Sequence, residues 1–251
     1  MMGSGSPLGS LEMTVAAGDG LLLKGILAYP EQPLGSSFPL AVLAHQYPAT
    51  ADSFSPLVED LLDLGVAVLA FDQRGHGAST QGPAGPVVID TPVGFTPQAF
   101  GSAFMSSIGK VGFQRIDDDI LRVAGWGAAQ NFVESGRMVL VGASIGASGA
   151  TLAAPQVPGL RALVTLGPAG ERVWGPDGRD RGRRAMEQIS AATLHATSEH
   201  DPFQAAQNAR AWSDGLAHAR SLIVPGSAHA MAIYYSVRQP ILSLISRALA
   251  A

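Results

Sequence analysis

Ser144 stands at the centre of Gly142-Ala143-Ser144-Ile145-Gly146, directly after the apolar run Met138-Val139-Leu140-Val141. A strand that runs into G-x-S-x-G and turns at once into a helix is a nucleophile elbow. The glycines two positions either side of the serine remove the Cβ atoms that would clash with the neighbouring strand and helix. The hydroxyl is then expected at the tip of a sheet, and the following helix aims its N-terminal N–H groups at the same spot. Ser144 is therefore the candidate nucleophile and the Ile145 N–H a candidate oxyanion donor. The pentapeptide alone is a weak signal in a chain with 30 glycines, where small residues also cluster at 146–150. By itself it reads equally as a plain strand-to-helix turn.

A serine hydroxyl needs a base within hydrogen-bond reach, and the base needs an orienting acid. His229 follows the apolar run Leu222-Ile223-Val224, in Pro225-Gly226-Ser227-Ala228-His229, and is the candidate base. Asp201 follows another strand-like run, in Ser198-Glu199-His200-Asp201-Pro202, and is the candidate acid. Glu199 is an alternative acid and His200 the competing histidine in that loop. His195 lies within a strand pattern and reads as a core residue, while His218 reads as exposed on a helix. The second oxyanion donor is expected after the apolar segment 40–44, where His45-Gln46-Tyr47-Pro48 places the Tyr47 backbone N–H.

These residues need a scaffold that brings several strand ends together. Residues 11–15 and 21–29 flank Gly18-Asp19-Gly20 and predict a hairpin. Short, continuously apolar runs at 40–44 and 66–71 enclose an amphipathic helix over 54–64, with Gly65 at its end. Buried strands joined by a helix predict a βαβ unit and a parallel sheet. A helix over 115–133, the elbow strand, and strands at 162–166, 193–197 and 221–224 continue the alternation, with a last helix after Pro240. The expected architecture is α/β: a doubly wound, mostly parallel sheet with an N-terminal antiparallel hairpin. Residues 1–10, rich in Gly and Ser, are expected to be a flexible tail, and 11–251 a single domain. Residues 80–112 are dense in Gly and Pro and poor in charge, and predict a long apolar loop.

Composition narrows the functional classes. Of the 251 residues, 47% are hydrophobic and 14% charged, which suits a packed core rather than disorder. A net charge of −4 without a basic stripe argues against a nucleic-acid partner. The arginines at 179, 181, 183 and 184 are interleaved with acids and read as a solvated loop or helix start, with an anionic-substrate site as the lesser alternative. With no cysteine, disulfides and a thiol nucleophile are excluded. No clustered His/Asp/Glu pattern suggests a metal, and no cofactor is expected. No apolar run is long enough to span a membrane, and the N-terminus lacks the basic and apolar regions of a signal peptide, so a cytoplasmic location is expected.

Together these residues resemble the α/β-hydrolase superfamily from about residue 40 onward, and within it the compact dienelactone-hydrolase-like branch. The resemblance rests on His45-Gln46-Tyr47-Pro48 (similar to H-G-x-P), on Asp72-Gln73-Arg74-Gly75-His76-Gly77-Ala78-Ser79 (similar to D-x-R-G-x-G-x-S), on the elbow, and on the Asp201 and His229 loops. It implies a Ser144–Asp201–His229 triad, an oxyanion hole at Tyr47 and Ile145, and little cap, since residues 167–189 are too few for a full one. Two departures stand out. Gln46 occupies a place where the family usually has glycine, and serine replaces the cysteine nucleophile of the enzymes that name the branch. The second departure favours a general esterase over a lactone hydrolase. The expected activity is cleavage of carboxylic esters, of short- to medium-chain acyl groups, by a serine hydrolase through an acyl-enzyme. Amide hydrolysis with the same triad and a non-catalytic ligand-binding scaffold are the alternatives. The insertion at 80–112 is expected to overhang the site, with Phe95, Phe100, Phe104 and Gln46 contacting substrate. Oligomeric state is left open.

Overall fold

The structure, a computed structural model, describes residues 8–30, 35–94 and 96–251. Strands β1 (Leu8–Ala16) and β2 (Leu22–Pro30) form an antiparallel hairpin. Its turn is closed by Ala17 N–H donating to the Leu21 carbonyl at 2.8 Å, with Gly20 at φ +83°. The pairing extends back to Leu8 opposite Pro30. Residues 8–10, expected in the flexible tail, are therefore strand. Backbone pairing is indifferent to the small side chains that suggested a tail. Residues 1–7 of that expected tail lie outside the described residues.

The chain then alternates. Strand β3 (Phe38–Ala44) is buried along its whole length; α1 (Ser55–Asp63) and β4 (Ala67–Phe71) follow. After the two-residue strands β5 (Gln81–Gly82) and β6 (Gly85–Pro86) come α2 (Pro97–Ser107) and α3 (Ile116–Ala128). The elbow strand β7 (Val133–Ala143) leads into α4 (Ile145–Ala153), and β8 (Leu160–Leu166) into α5 (Gly178–Glu187). Finally β9 (Ala192–Ser198), α6 (Ala205–Ser213), β10 (Ala219–Val224) and α7 (Tyr234–Ala250) complete the fold. One sheet results, in the order β10-β9-β8-β7-β3-β4-β2-β5-β6, with β1 on β2. The pairings linking β4, β3, β7, β8, β9 and β10 are parallel; β1–β2, β2–β4, β2–β5 and β5–β6 are antiparallel.

Two-residue periodicity divides the core between the two faces. Leu40, Val42 and Leu140 pack with Ile120 and Val123 of α3 and Ala150 of α4. Leu43, Val139 and Val141 face the other way, against Leu57 and Leu61 of α1 and Val237 and Ile241 of α7. With both faces covered, the tips of the parallel strands are the open places where a site can form.

Three local expectations change. The stretch 80–112 contains α2 rather than only loop. Thr96 Oγ1 accepts the Ala99 N–H at 3.2 Å and Pro97 opens the helix. A Thr-Pro start is a capping signal, outweighed in the sequence by the glycines and prolines around it. Helix α7 begins at Tyr234 and carries Pro240 inside it. The apolar stripe Tyr234, Val237, Ile241, Leu244 and Ile245 is buried on both sides of that proline, so packing overrides its local cost. His218 lies in the turn before β10, half-buried, not exposed on a helix. His195, by contrast, is fully buried, as a core residue.

Arg74, just past β4, ties three distant segments together from a fully buried position. Its guanidinium grips Asp119 of α3 through Nε at 2.6 Å and Nη2 at 2.9 Å, and Asp19 of the hairpin turn through Nη1 at 3.0 Å. Nη1 also donates to the Val111 carbonyl at the end of the insertion, at 3.0 Å. Five donors in a planar fork suit this multiple role, which lysine could not fill. Burial opposes the charge on Arg74, but its hydrogen bonds to the Asp119 and Asp19 carboxylates more than compensate and hold its pKa above the ordinary arginine value. Arg74→Ala strands Asp119 as an unpaired buried carboxylate and should cost about 3–5 kcal/mol in urea unfolding. Removal of the exposed Asp118–Arg122 pair by Asp118→Ala should cost at most about 1 kcal/mol.

Candidate functional site

Ser144 joins β7 to α4 at φ 53°, ψ −117°, a conformation that L-residues with side chains rarely adopt. Two close approaches impose it. A Cβ on Gly142 would meet the Gly146 carbonyl and Ala147 Cα, and one on Gly146 would meet the carbonyls of Ala44 and His45. The backbone of α4 therefore lies directly against β3. The turn is fixed by Ser144 N–H donating to the Leu166 carbonyl at 2.9 Å.

The loops after β9 and β10 are fastened to each other. Glu199 N–H donates to the Val224 carbonyl at 2.8 Å and His200 N–H to the Gly226 carbonyl at 2.9 Å. Ser198 Oγ donates to the Ala228 carbonyl at 2.6 Å. Across this junction His229 Nδ1 lies 2.7 Å from Asp201 Oδ2, and His229 Nε2 lies 2.8 Å from Ser144 Oγ. The Asp201 side chain is fully buried; Glu199 and His200, the alternatives in the same loop, are exposed. Gly167, at φ +58°, passes so close that a Cβ there would crowd His229 Nδ1.

The segment after β3 approaches from the other side. The buried His45 ring bonds through Nδ1 to the Gln46 carbonyl at 2.9 Å and accepts the Gln73 N–H on Nε2 at 2.9 Å. One nitrogen donating and the other accepting defines the neutral Nδ1–H tautomer. Gln73 returns its side-chain amide to the His45 carbonyl. Among the described residues, no hydrogen bond engages the backbone N–H of Tyr47 or Ile145. The Tyr47 side chain is buried, with its hydroxyl donating to the Asp90 carbonyl at 2.5 Å and its ring against Phe100 and Phe104 at centroid distances of 5.9 and 5.2 Å. Asp90 in turn takes Lys110 Nζ at 2.6 Å and Ser106 Oγ at 2.5 Å, clasping the C-terminal end of α2.

Above Ser144 and His229 is a cavity of about 680 Å³, walled by Gln46, Tyr47, Phe100, Phe104, Met105 and Phe203 among others. None of its lining residues is Lys, Arg, Asp or Glu. Gln46 Oε1 is buried without a hydrogen-bond partner. Phe95 lies outside the described residues. Phe203, which sequence reasoning passed over, tilts against the His229 ring at 4.6 Å. Its only signal in the sequence is its place two residues after Asp201. Among the described residues, no group of three or more His, Cys, Asp or Glu side chains is arranged to hold a metal ion, and no helix is long and apolar enough to cross a membrane.

Burial, with His76 close by, lowers the His45 pKa from 6.5 to about 3. The folded value lies below the unfolded one, so the unfolded chain binds the extra proton. The stabilisation is complete above the unfolded pKa and is lost as pH falls toward 3, at about 1.4 kcal/mol per pH unit in between. Urea unfolding at pH 6, 5 and 4 should therefore show a shallower acid-side slope in His45→Gln than in the parent, by about one proton.

A family model described as alpha/beta hydrolase fold matches residues 39–217. No curated protein matches the chain in sequence. Among solved structures, a putative dienelactone hydrolase from Klebsiella pneumoniae is similar with TM-score 0.71 and 16% identity, covering 96% of this chain and 100% of the other. An esterase from Pyrococcus furiosus gives TM-score 0.64 and 17% identity over 96% and 90% of the two chains. An acetyl xylan esterase from Paenibacillus sp. R4 gives 0.67 and 16% over 98% and 85%. At these identities the structures testify to the fold. The family match spans more than half of the sequence, from β3 through the elbow to α6, and the chain belongs to the alpha/beta hydrolase fold family.

Proposed function

We propose that this protein is a serine hydrolase that cleaves carboxylic esters. The observation that carries the reading is the continuous relay from Ser144 Oγ through His229 to Asp201, with links of 2.8 and 2.7 Å, opening into an apolar cavity. Ser144 Oγ attacks the ester carbonyl carbon as His229 Nε2 takes its proton. Asp201 holds the imidazole by its Nδ1–H and offsets the charge that the ring acquires. The carbonyl oxygen becomes an oxyanion, and the free N–H groups of Tyr47 and Ile145 suit it as donors, each contributing about 3 kcal/mol to the transition state. The bond from carbon to the leaving oxygen then breaks, and that oxygen takes the proton from Nε2. Water, deprotonated by His229, attacks the acyl carbon and releases the acid and Ser144.

The absence of charged groups in the cavity lining supports an uncharged, apolar acyl chain, since a carboxylate there would lose water without gaining a partner. Phe100 and Phe104 of α2 are suited to receive that chain beside Tyr47. Gln46, on the same wall, is suited to contact its polar end. Ser144→Ala should lower kcat for p-nitrophenyl butyrate by at least about 10³-fold and abolish labelling by a fluorophosphonate. Equal turnover by parent and variant would overturn the reading.

A further inference from the structure

Phe203 is an aromatic side chain in an unusual place. It is 44% exposed, so the core does not account for it, yet it lines the cavity and rests on His229 at 4.6 Å with the rings inclined at 58°. Its backbone is tied to the acid: Phe203 N–H donates to Asp201 Oδ1 at 2.9 Å. Gln204, at φ 61°, then turns the chain sharply into α6. The ring is thus presented to the cavity by the same short turn that supplies the candidate acid.

The ester reading, on which this argument rests, fixes which half of a substrate comes near that ring. His229 Nε2 must pass its proton to the leaving oxygen as the C–O bond breaks. The alcohol half therefore starts within hydrogen-bond reach of the imidazole, while the acyl half extends away from it. Phe100 and Phe104 lie against Tyr47, next to the candidate oxyanion N–H groups, and so belong to the other half. We propose that Phe203 is a specificity-determining wall for the leaving group and that the substrates are esters of aromatic or comparably bulky apolar alcohols. An aromatic ring seated on Phe203 gains offset or edge contact as well as burial.

The test compares benzyl butyrate with methyl butyrate. The two alcohols are similar in acidity and give the same butyryl-enzyme, so kcat/KM separates the esters by the fit of the leaving group. In Phe203→Ala the ratio of kcat/KM for benzyl over methyl butyrate should fall about tenfold, the size of one lost aromatic contact with its burial. Phe203→Tyr keeps the ring and should hold the ratio within about twofold of the parent. An unchanged ratio in Phe203→Ala, whether or not both rates fall, overturns the proposal: the ring then acts only on His229. Fluorophosphonate labelling and Ser144→Ala run alongside. If neither ester is cleaved in a Ser144-dependent way, the ester reading itself fails and the inference falls with it. If both are cleaved but the ratio does not respond to Phe203, only the inference falls.

Discussion

The architecture depends on one close approach, that of the α4 backbone to β3. Gly146 lies against the Ala44 and His45 carbonyls, and Gly142 against the first turn of α4. No side chain fits in either gap. With the helix drawn in so tightly, the chain has no relaxed way from β7 to α4, and Ser144 takes up the difference at φ 53°. The same closeness sets the start of α4, with its unengaged Ile145 N–H, beside the segment that carries Tyr47. Strain at Ser144 and the closeness of the start of α4 to the segment after β3 thus have a single geometric cause.

Around this junction the molecule separates its charges from its cavity. Buried Arg74 and Asp119, with the more exposed Asp19, form an ionic knot at the base of the insertion, while the cavity wall holds no Lys, Arg, Asp or Glu. His45, kept neutral, is bonded to Gln73 beside Arg74 and to the Gln46 carbonyl, and braces the candidate oxyanion segment without adding charge. In the proposed mechanism, a charge developing on the substrate oxygen would face backbone dipoles in a medium with few competing ions, where such dipoles act most strongly.

Much of this was legible in the residues. Continuous apolar runs at β3, β4 and β7 are strong signals because a strand buried on both faces has no polar side to confuse the pattern. Ser144, Asp201 and His229 each follow a strand, and parallel strands bring their ends together by construction. What escaped was of another kind. The capping signal of α2 is two residues long and lies among glycines and prolines. Pro240 looked like a helix start because its cost is local, whereas the burial of Val237 and Ile241 that outweighs it is tertiary. Phe203 acquires its meaning only from contact with His229, a residue distant in sequence. The Arg74 partners, on a hairpin turn and a helix start, are likewise a product of folding.

The C-terminal helix brings a last consequence. Tyr234 opens α7 only five residues after His229, and its hydroxyl bonds to Asp60 of α1. Arg238 reinforces the tie through Nε to Asp60 at 2.6 Å. The imidazole is thereby moored to one face of the sheet, through α1 and α7, while Ser144 is moored to the opposite face through the helix it begins. In the proposed mechanism the proton's path joins side chains anchored on opposite faces of the sheet, which meet at Leu166 and Gly167. The Asp60 ties to Tyr234 and Arg238 therefore make α1, remote from Ser144, part of what holds the His229 loop in place.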